Sequence, residues 1–561
     1  MSEAHDSHSN AATVGACRQP SAGAGLSRRR ALAVGAGAAA ALGASASTSF
    51  PPLAPDSAMA AGGMDWLLNV KDYGAVGDGV TDDAPAIQQA IYDATGWDPT
   101  GRTTNPSKIV YIPPGTYMLN ARLWILDGLT IEGAGRELTT LRLLPTCNGP
   151  ILQAPYYPGY YVGGSDFTLR DITLDGDAEH TEQTGAIIAL LHARKVARWH
   201  VARCKITRAR GYGVGFQNST AAGNGPVEDV YFVDCEFESN HWGGQAGTGS
   251  IDTKWTKRLT MENCVVVNDG VGFDLRSNSG TLINCHARNC DFGFVLRQTA
   301  NKEGEIGEEC YYTVLGGSAE DCGAGLTVAQ TVDQTLDPEC VHATIVGFNA
   351  RKNIHGIGTG DAQPPNPDGA VAVSILGGIF CENDGYGIGI SHARMATVCG
   401  AICRDNGADG VRIKETPNFA LVGCTLENNG QWGVRSEGAQ TDRIVVVGNA
   451  ISGNLDGDLH EYGSESKVVG NATDVAAAIT ASSTLSLPNC DDVLVVEGSA
   501  GIFSITPSRN GRRVTIRYAS DGSVIDGQNL KLRNSFNASP SDTITLVCHD
   551  GSWYEVSRSA N

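Results

Sequence analysis

Two aspartates and three basic residues recur at matching places along the middle of the chain. Ile251-Asp252-Thr253-Lys254, Phe273-Asp274-Leu275-Arg276 and Phe294-Val295-Leu296-Arg297 align on their apolar residues. In a β-strand successive side chains point to opposite faces. If the apolar residues point inward, the outward residues form two columns, Asp252–Asp274–Val295 and Lys254–Arg276–Arg297. Strands stacked about 4.8 Å apart would set the two carboxylates roughly 5 Å from each other, beside a stripe of three cations. Like charges so close raise one carboxyl pKa, and the cations lower it. Aligning Phe216-Gln217-Asn218-Ser219 as the preceding turn adds Gln217, with Tyr212 just upstream and Gln298 just after Arg297. Such a set could hold the carboxylates of an acidic sugar polymer on the cations while a base or acid works at the ring. The plainer reading is a solvated face whose opposite charges relieve repulsion between neighbouring strands.

What would position these residues is a repeat. Asn263-Cys264-Val265-Val266 and Asn284-Cys285-His286-Ala287 are 21 residues apart, as are Cys403 and Cys424, and Gly387, Gly410 and Gly433 follow at 23. Short apolar runs and glycine turns at this period describe a solenoid, whose turns bury their inner faces only by stacking. Intervals near 30, such as Cys204 to Cys235 to Cys264, imply insertions. The segments 299–310, 331–342 and 360–369 read as inserted loops that shape specificity. Of the 16 cysteines, those in phase with the repeat are expected to form an inward ladder of small apolar side chains. Cys310, Cys322 and Cys340 fall in the inserted stretches, where a disulfide is an alternative in an oxidising compartment. No Cys/His spacing resembles a zinc site, and His180, His192, His200 and His392 are scattered.

The chain of 561 residues has 70 glycines and a formal charge of −20. Without a Gly-X-Y period it is not collagen-like, and its 41% hydrophobic content excludes wholesale disorder. The acidity disfavours nucleic acid and anionic membrane as partners. Ser27-Arg28-Arg29-Arg30, the weakly apolar run from Ala31 to Phe50 and Ala58-Met59-Ala60 resemble a twin-arginine export signal over residues 1–60. Its removal would leave a secreted chain of net charge −21, with no other segment apolar enough to span a membrane.

The mature chain opens with Val70-Lys71-Asp72-Tyr73-Gly74-Ala75 and Gly77-Asp78-Gly79-Val80-Thr81-Asp82-Asp83. A helix follows, capped by Asp82 or Asp83, with Pro85 in its first turn and Ala86, Ile87, Ala90, Ile91 and Ala94 on one face. Then comes Val110-Tyr111-Ile112-Pro113-Pro114-Gly115-Thr116-Tyr117. This opening resembles the pectate-lyase superfamily. The resemblance implies an all-β fold, a right-handed parallel β-helix over residues 61–470 with the helix as an N-terminal cap. It also implies carbohydrate chemistry along the outer groove of central turns. Residues 471–561 change character: an Ala/Ser/Thr-rich linker precedes runs such as Arg513-Val-Thr-Ile-Arg-Tyr and Asp542-Thr-Ile-Thr-Leu-Val, which alternate at period two. A small antiparallel β-domain is expected there. Its ending, Gly551-Ser-Trp-Tyr-Glu-Val-Ser-Arg-Ser, resembles the terminal module of phage tail proteins, which implies a homotrimer or a cap; a carbohydrate-binding module is the alternative.

Gly164-Ser165-Asp166-Phe167-Thr168-Leu169, Thr173-Leu174-Asp175-Gly176 and Gly211-Tyr212-Gly213 resemble mannuronan C5-epimerases, which implies a role for Tyr212. Gly215 and Gln217 stand where that family has a carboxylate and an imidazole, a departure from epimerase chemistry. Arg412-Ile413-Lys414 resembles the Arg-Ile-Lys of polygalacturonases and marks Arg412 and Lys414 as candidate substrate-binding residues, although the aspartates lie several turns earlier. No metal ligand set is assigned. Ca2+ is the one cofactor with candidate ligands, in Asp175, Asp177 and Glu179 or, by the pectate-lyase resemblance, in Asp252 and Asp274. The reading that follows is a secreted enzyme cleaving a uronate-containing polysaccharide by β-elimination. Arg276 and Arg297 would neutralise the uronate, and Lys254 or Tyr212 would serve as base or acid. The alternatives are a glycoside hydrolase or glycosyltransferring enzyme using Asp252 and Asp274, and a non-catalytic glycan-binding adhesin.

Overall fold

The computed structural model describes residues 66–560, apart from 98–107, 148, 158–160, 181–188, 217–225, 241–248, 298–308, 330–340, 360–370, 439–440, 442, 461–465, 474–478, 488–492 and 509. The export signal expected over residues 1–60 lies outside the described residues. No helix among the described residues is long and apolar enough to cross a membrane.

Each turn of the stack between its first and its last contributes one strand to each of three parallel ladders. The first ladder climbs from Leu67–Asn69 to Lys467–Val469, and the third from Leu123–Trp124 to Gly457–His460. They share Gly249–Glu262, a strand of 14 residues that serves both, so together they form one 27-stranded sheet. Between them in chain order lies the second ladder, a 15-stranded sheet from Asp78–Asp82 to Ala472–Thr473. This is the parallel β-helix that the glycine-punctuated repeat predicts.

Strand burial alternates as the pleat requires: in Ile444–Val447 and Phe419–Val422 every second residue is buried. Inward residues of successive turns stack on one another. Phe273 and Phe294 lie face to face with centroids 4.6 Å apart, and Phe167, Trp199, Phe216, Phe232 and Phe237 form a contiguous aromatic run. The helix Ala84–Thr95 buries Ala84, Ile87, Ala90, Ile91 and Ala94 in the same hydrophobic cluster as the opening strands. Asp83 is its N-cap residue but bonds none of the helix amides; its carboxylate accepts from the Val76 and Gly77 N–H groups at 2.6 and 3.0 Å.

The two corners are held differently. Between the first and second ladders, Cys204, Cys235, Cys264 and Cys285 stack, each thiol donating to the carbonyl two residues back at 3.3 to 3.5 Å. Between the second and third ladders the position is held by Asn353, Asn383, Asn406, Asn429 and Asn454. Each of the first four amides donates to the carbonyl oxygen of the next at 2.8 to 3.1 Å, and that of Asn454 to Asp458 at 3.1 Å. Such ladders satisfy polar groups that would otherwise be buried unpaired. The cysteines described are free thiols, buried except for Cys399. Two of the cysteines expected in inserted loops are instead structural: Cys310 begins the strand Cys310–Leu315, and Cys322 stands at the second corner, its thiol in contact with that of Cys290. Cys340 lies outside the described residues.

A separate hydrophobic cluster, from Ala481 to Trp553, organises the C-terminal strands. Their pairing is mixed. Arg513–Tyr518 with Thr543–His549, Thr543–His549 with Ser552–Ser559 and Gly522–Val524 with Phe536–Ala538 are antiparallel, as expected. Val493–Glu497 pairs parallel with Ile479–Thr480 and with Arg513–Tyr518. Period-two alternation specifies a strand and its inner face, not the direction of its neighbour.

Candidate active site

The outer face of the third ladder carries one unbroken register column. It runs from Gln153 through His192, Gly215, Asp252, Asp274, Val295 and Thr327 to Gly358, Gly389, Arg412, Arg435 and His460. Asp252 and Asp274 are direct neighbours, as the alignment predicts, and Ile251, Phe273 and Phe294 are buried beneath them. Lys254 is opposite Arg276 in the same pairing.

The carboxylates do not form the solvated face anticipated for outward residues. Asp252 is 4% and Asp274 2% exposed. Arg276 Nη2 donates to Asp274 at 2.8 Å, and its Nε lies 3.8 Å from Asp252. Arg297 closes on Asp274 from the next turn, Nη2 at 3.1 Å and Nε at 3.0 Å. Paired guanidinium groups are what make burial of a carboxylate tolerable. Burial alone would push the Arg276 guanidinium down; the charges of Asp252 and Asp274 outweigh it and hold it above its usual value.

Beneath the cluster Tyr312 is fully buried. Its hydroxyl donates to the Arg297 and Leu275 carbonyls at 2.6 and 3.0 Å and accepts from the Ser277 N–H at 2.8 Å. The phenol therefore ties the backbone of the Arg276 strand to that of the Arg297 strand.

Tyr212 opens the strand Tyr212–Phe216 and is half-buried beside the ionic group. Burial first, and then the Asp252 charge, push its hydroxyl above the usual tyrosine value, against the opposing pull of Arg276 and Arg297. It stays protonated at neutral pH.

The register of this strand corrects one part of the sequence alignment. Val214, not Phe216, pairs with Ile251, so Gly215 rather than Gln217 faces Asp252. Gln217 and Gln298 lie outside the described residues. Gly215 puts no side chain in the column between His192 and Asp252, and a Cβ there would meet that of Ala189 at 2.8 Å. His192, buried on the outer column, was not singled out by the sequence; only the strand register shows that it shares a face with the aspartates.

Arg412 shares the aspartate column, five turns above Asp274. Its Nε donates to Glu437 at 2.8 Å, and Lys414 pairs in register with Glu437. Burial alone would raise the Glu437 carboxyl, but the bond from Arg412 and the charges of Arg412, Arg435 and Lys414 hold it below the usual range. Arg412 and Lys414 therefore form a second ionic group on the same outer face.

Neither set of carboxylates suggested for Ca2+ suits that ion. Asp274 and Asp252 are engaged by Arg276 and Arg297. Asp175 is held by Arg142 at 2.8 Å and by Arg208, and Asp177 by Arg208 at 3.1 Å. A hard cation needs several oxygens free of competing positive charge. Among the described residues no group of three or more His, Cys, Asp or Glu is placed to hold a metal.

The chain is similar to several known proteins. A family described as rhamnogalacturonase A/epimerase, pectate lyase-like, matches residues 67–295. The mannuronan C5-epimerase AlgE4 of Azotobacter vinelandii is 32% identical over 199 residues, 31% of this chain and 34% of that protein. The pre-neck appendage protein of Bacillus phage B103 is 28% identical over 258 residues, 42% of this chain and 27% of that protein. The chain thus spans about a quarter to a third of the length of these relatives. Among solved structures, the A-module of the Azotobacter vinelandii epimerase AlgE6 aligns over 73% of this chain and all of its own length, at 20% identity and a TM-score of 0.41.

Proposed function

We propose that the chain is an exported enzyme that cleaves an acidic polysaccharide by β-elimination on the outer face of the third ladder. The observation that carries this reading is the gathering of Tyr212, Asp252, Asp274, Arg276 and Arg297 from consecutive turns into one ionic group. The names of its relatives, an epimerase of uronate polymers and a pectate lyase-like family, support a uronate substrate.

The reaction needs three things: a neutralised uronate carboxylate, a base for the C5 proton, and a proton for the leaving oxygen at C4. Arg276 and Arg297 supply the first. Asp274 uses part of each guanidinium fork and fixes its direction, leaving other N–H groups for substrate. Tyr212, held protonated, supplies the last. That leaves Lys254 as the base. Its strand position pairs in register with Arg276. As the C5–H pair moves into the C4–C5 bond, the C4–O bond breaks and the oxygen takes the tyrosyl proton. No step needs a metal.

Hydrolysis by the aspartate pair is less well supported. One-turn spacing suits a retaining pair, but Arg276 and Arg297 already occupy the Asp274 oxygens that would have to reach the sugar. The test is incubation of the mature protein with a panel of uronic and neutral polysaccharides, with products read by mass spectrometry and by ultraviolet absorbance. Elimination gives new chain ends lacking one water and absorbing as unsaturated uronates. Products that have gained water would establish hydrolysis instead. Glycan binding with no product would support an adhesin, the reading the phage appendage relative favours.

A further inference from the structure

We propose that the outer face of the first ladder, from Ile283 to Val469, is where a second copy of this chain docks. Three register columns define the face. One is aliphatic: Ile283, Leu315, Val346, Leu376, then Cys399, Val422, Val447 and Val469. The next is Thr281, Thr313, Thr344, Ser374, Thr397, Ala420 and Val445. The third is Tyr311, His342, Ala372 and Met395. Apart from Lys467, which ends the second column in register with Val445, not one residue of these columns is Asp, Glu, Lys or Arg. Leu315, Leu376 and Val469 are each 39% exposed, and Tyr311 and Met395 more so, a high exposure for such residues.

The corner beside the aliphatic column adds an independent observation. Each of its residues follows the last one of a first-ladder strand and has positive φ. In the early turns these are Asp171, Arg203, Asp234, Asn263 and Asn284; from there on they are Gly316, Gly347, Gly377, Gly400, Gly423, Gly448 and Gly470. The backbone does not demand the change, since the early side chains tolerate the same conformation at φ 49 to 60°. Nor does packing within the chain demand it. At Gly316, Gly347, Gly377, Gly400, Gly423, Gly448 and Gly470 a Cβ would meet nothing within 4 Å. Seven bare corners in succession, beside a face with one charge at its last turn, keep a surface clear for something outside the chain to approach closely.

The occupant is argued from charge and size. The chain carries a net charge of −20, so two copies repel over most of their surfaces. This strip is where they can meet without bringing like charges together. Eight turns by three columns give a face of about 34 Å by about 14 Å, close to 480 Å2 before side-chain relief. That is over half of the roughly 800 Å2 that each partner buries in a stable association. Contiguous apolar surface on this scale marks an interaction site.

Sedimentation velocity of the mature chain, from about 1 to about 100 μM, tests the proposal. The wild type is expected to assemble. Leu315→Lys combined with Leu376→Lys should weaken association about a hundredfold or more, because it buries unpaired charge. Both positions face solvent, so an unchanged circular dichroism spectrum should show the fold intact. Gly377→Asn with Gly423→Asn fills the bare corner with a residue that the corner accepts at Asn263 and Asn284, and should weaken assembly too. Thr425→Lys, on the second ladder, should leave it unchanged. A thiol reagent adds a second readout: Cys399 should be protected in the assembled protein and react on dilution. A wild type that stays monomeric throughout would overturn the proposal. So would lysine variants that assemble like the wild type, or a face whose lysines abolish polysaccharide binding in a monomeric protein.

Discussion

Replacing Asp269 by asparagine should stabilise the protein, and increasingly so as the pH rises. Asp269 stands at the second corner, the position that Asn353, Asn383, Asn406, Asn429 and Asn454 hold in later turns. It accepts from the Asn240 N–H at 2.7 Å, as the ladder asparagines accept from the turn before, and the Ser250 hydroxyl bonds its other oxygen. Burial dominates and pushes its carboxyl from 3.8 up to about 7, against the lowering effect of Ser250 and Asn240. A group whose pKa rises on folding favours the folded state below its unfolded value and loses that contribution as the pH climbs through the folded value. A rise of about three units corresponds to about 4 kcal/mol, lost between about pH 4 and pH 8. Asparagine keeps the acceptor and has no charge to desolvate. Urea unfolding of the wild type and Asp269→Asn at pH 5 and pH 8 reads the difference directly, and subtracting one from the other cancels carboxylates common to both. Part of the change is already complete at pH 5, so the variant's advantage should widen by about 2.5 kcal/mol between the two values. An advantage equal at both values, or a variant less stable at pH 8, would refute the account of Asp269 as a carboxylate held in an amide's place.

Three further outcomes follow from the site and the ladder. Arg276→Ala should abolish turnover without unfolding the chain, and Arg276→Lys should fail to restore it, because an ammonium cannot reproduce the fork that meets Asp274 and substrate together; circular dichroism and product formation check both. Tyr212→Phe should cost about a hundredfold or more in rate, the ordinary worth of a positioned proton donor. In the wild type the alkaline fall in rate should lie above the usual tyrosine range, since burial raises this hydroxyl, and a fall near neutral pH would reassign the acid. Asn406→Ala removes the acceptor of the Asn383 side-chain amide and backbone N–H, at 2.8 and 3.2 Å, and should destabilise by about 2–5 kcal/mol in urea unfolding.

The placement of Asp252, Asp274 and Arg276 was legible because Ile251 and Phe273 are unambiguous inward residues on either side of a polar pattern. The strand before them was not. Sliding Tyr212–Phe216 by two residues keeps every side chain on the same face, so apolar matching could not choose between Phe216 and Val214 as the partner of Ile251. The burial of the aspartates was hidden for another reason: it comes from arginines folding over them from the same and the next turn, and outward alternation does not encode where a long side chain lies. The asparagine corner was visible in principle, as Asn383, Asn406 and Asn429 recur every 23 residues. His192 had no signal of its own, since one histidine in an apolar strand says nothing about the column it joins.

The ionic group at Asp274 has many turns on either side of it, each resting chiefly on its two neighbours. Cohesion in such a stack is local, so losses begin at its ends and advance inward one layer at a time. A nick or fraying in the last layers would have to consume turn after turn before it disturbed Arg276 or Tyr212. Wear at the extremities and failure of the working centre are thus separated by distance along the stack, and a chain of this kind can be shortened well before it is silenced.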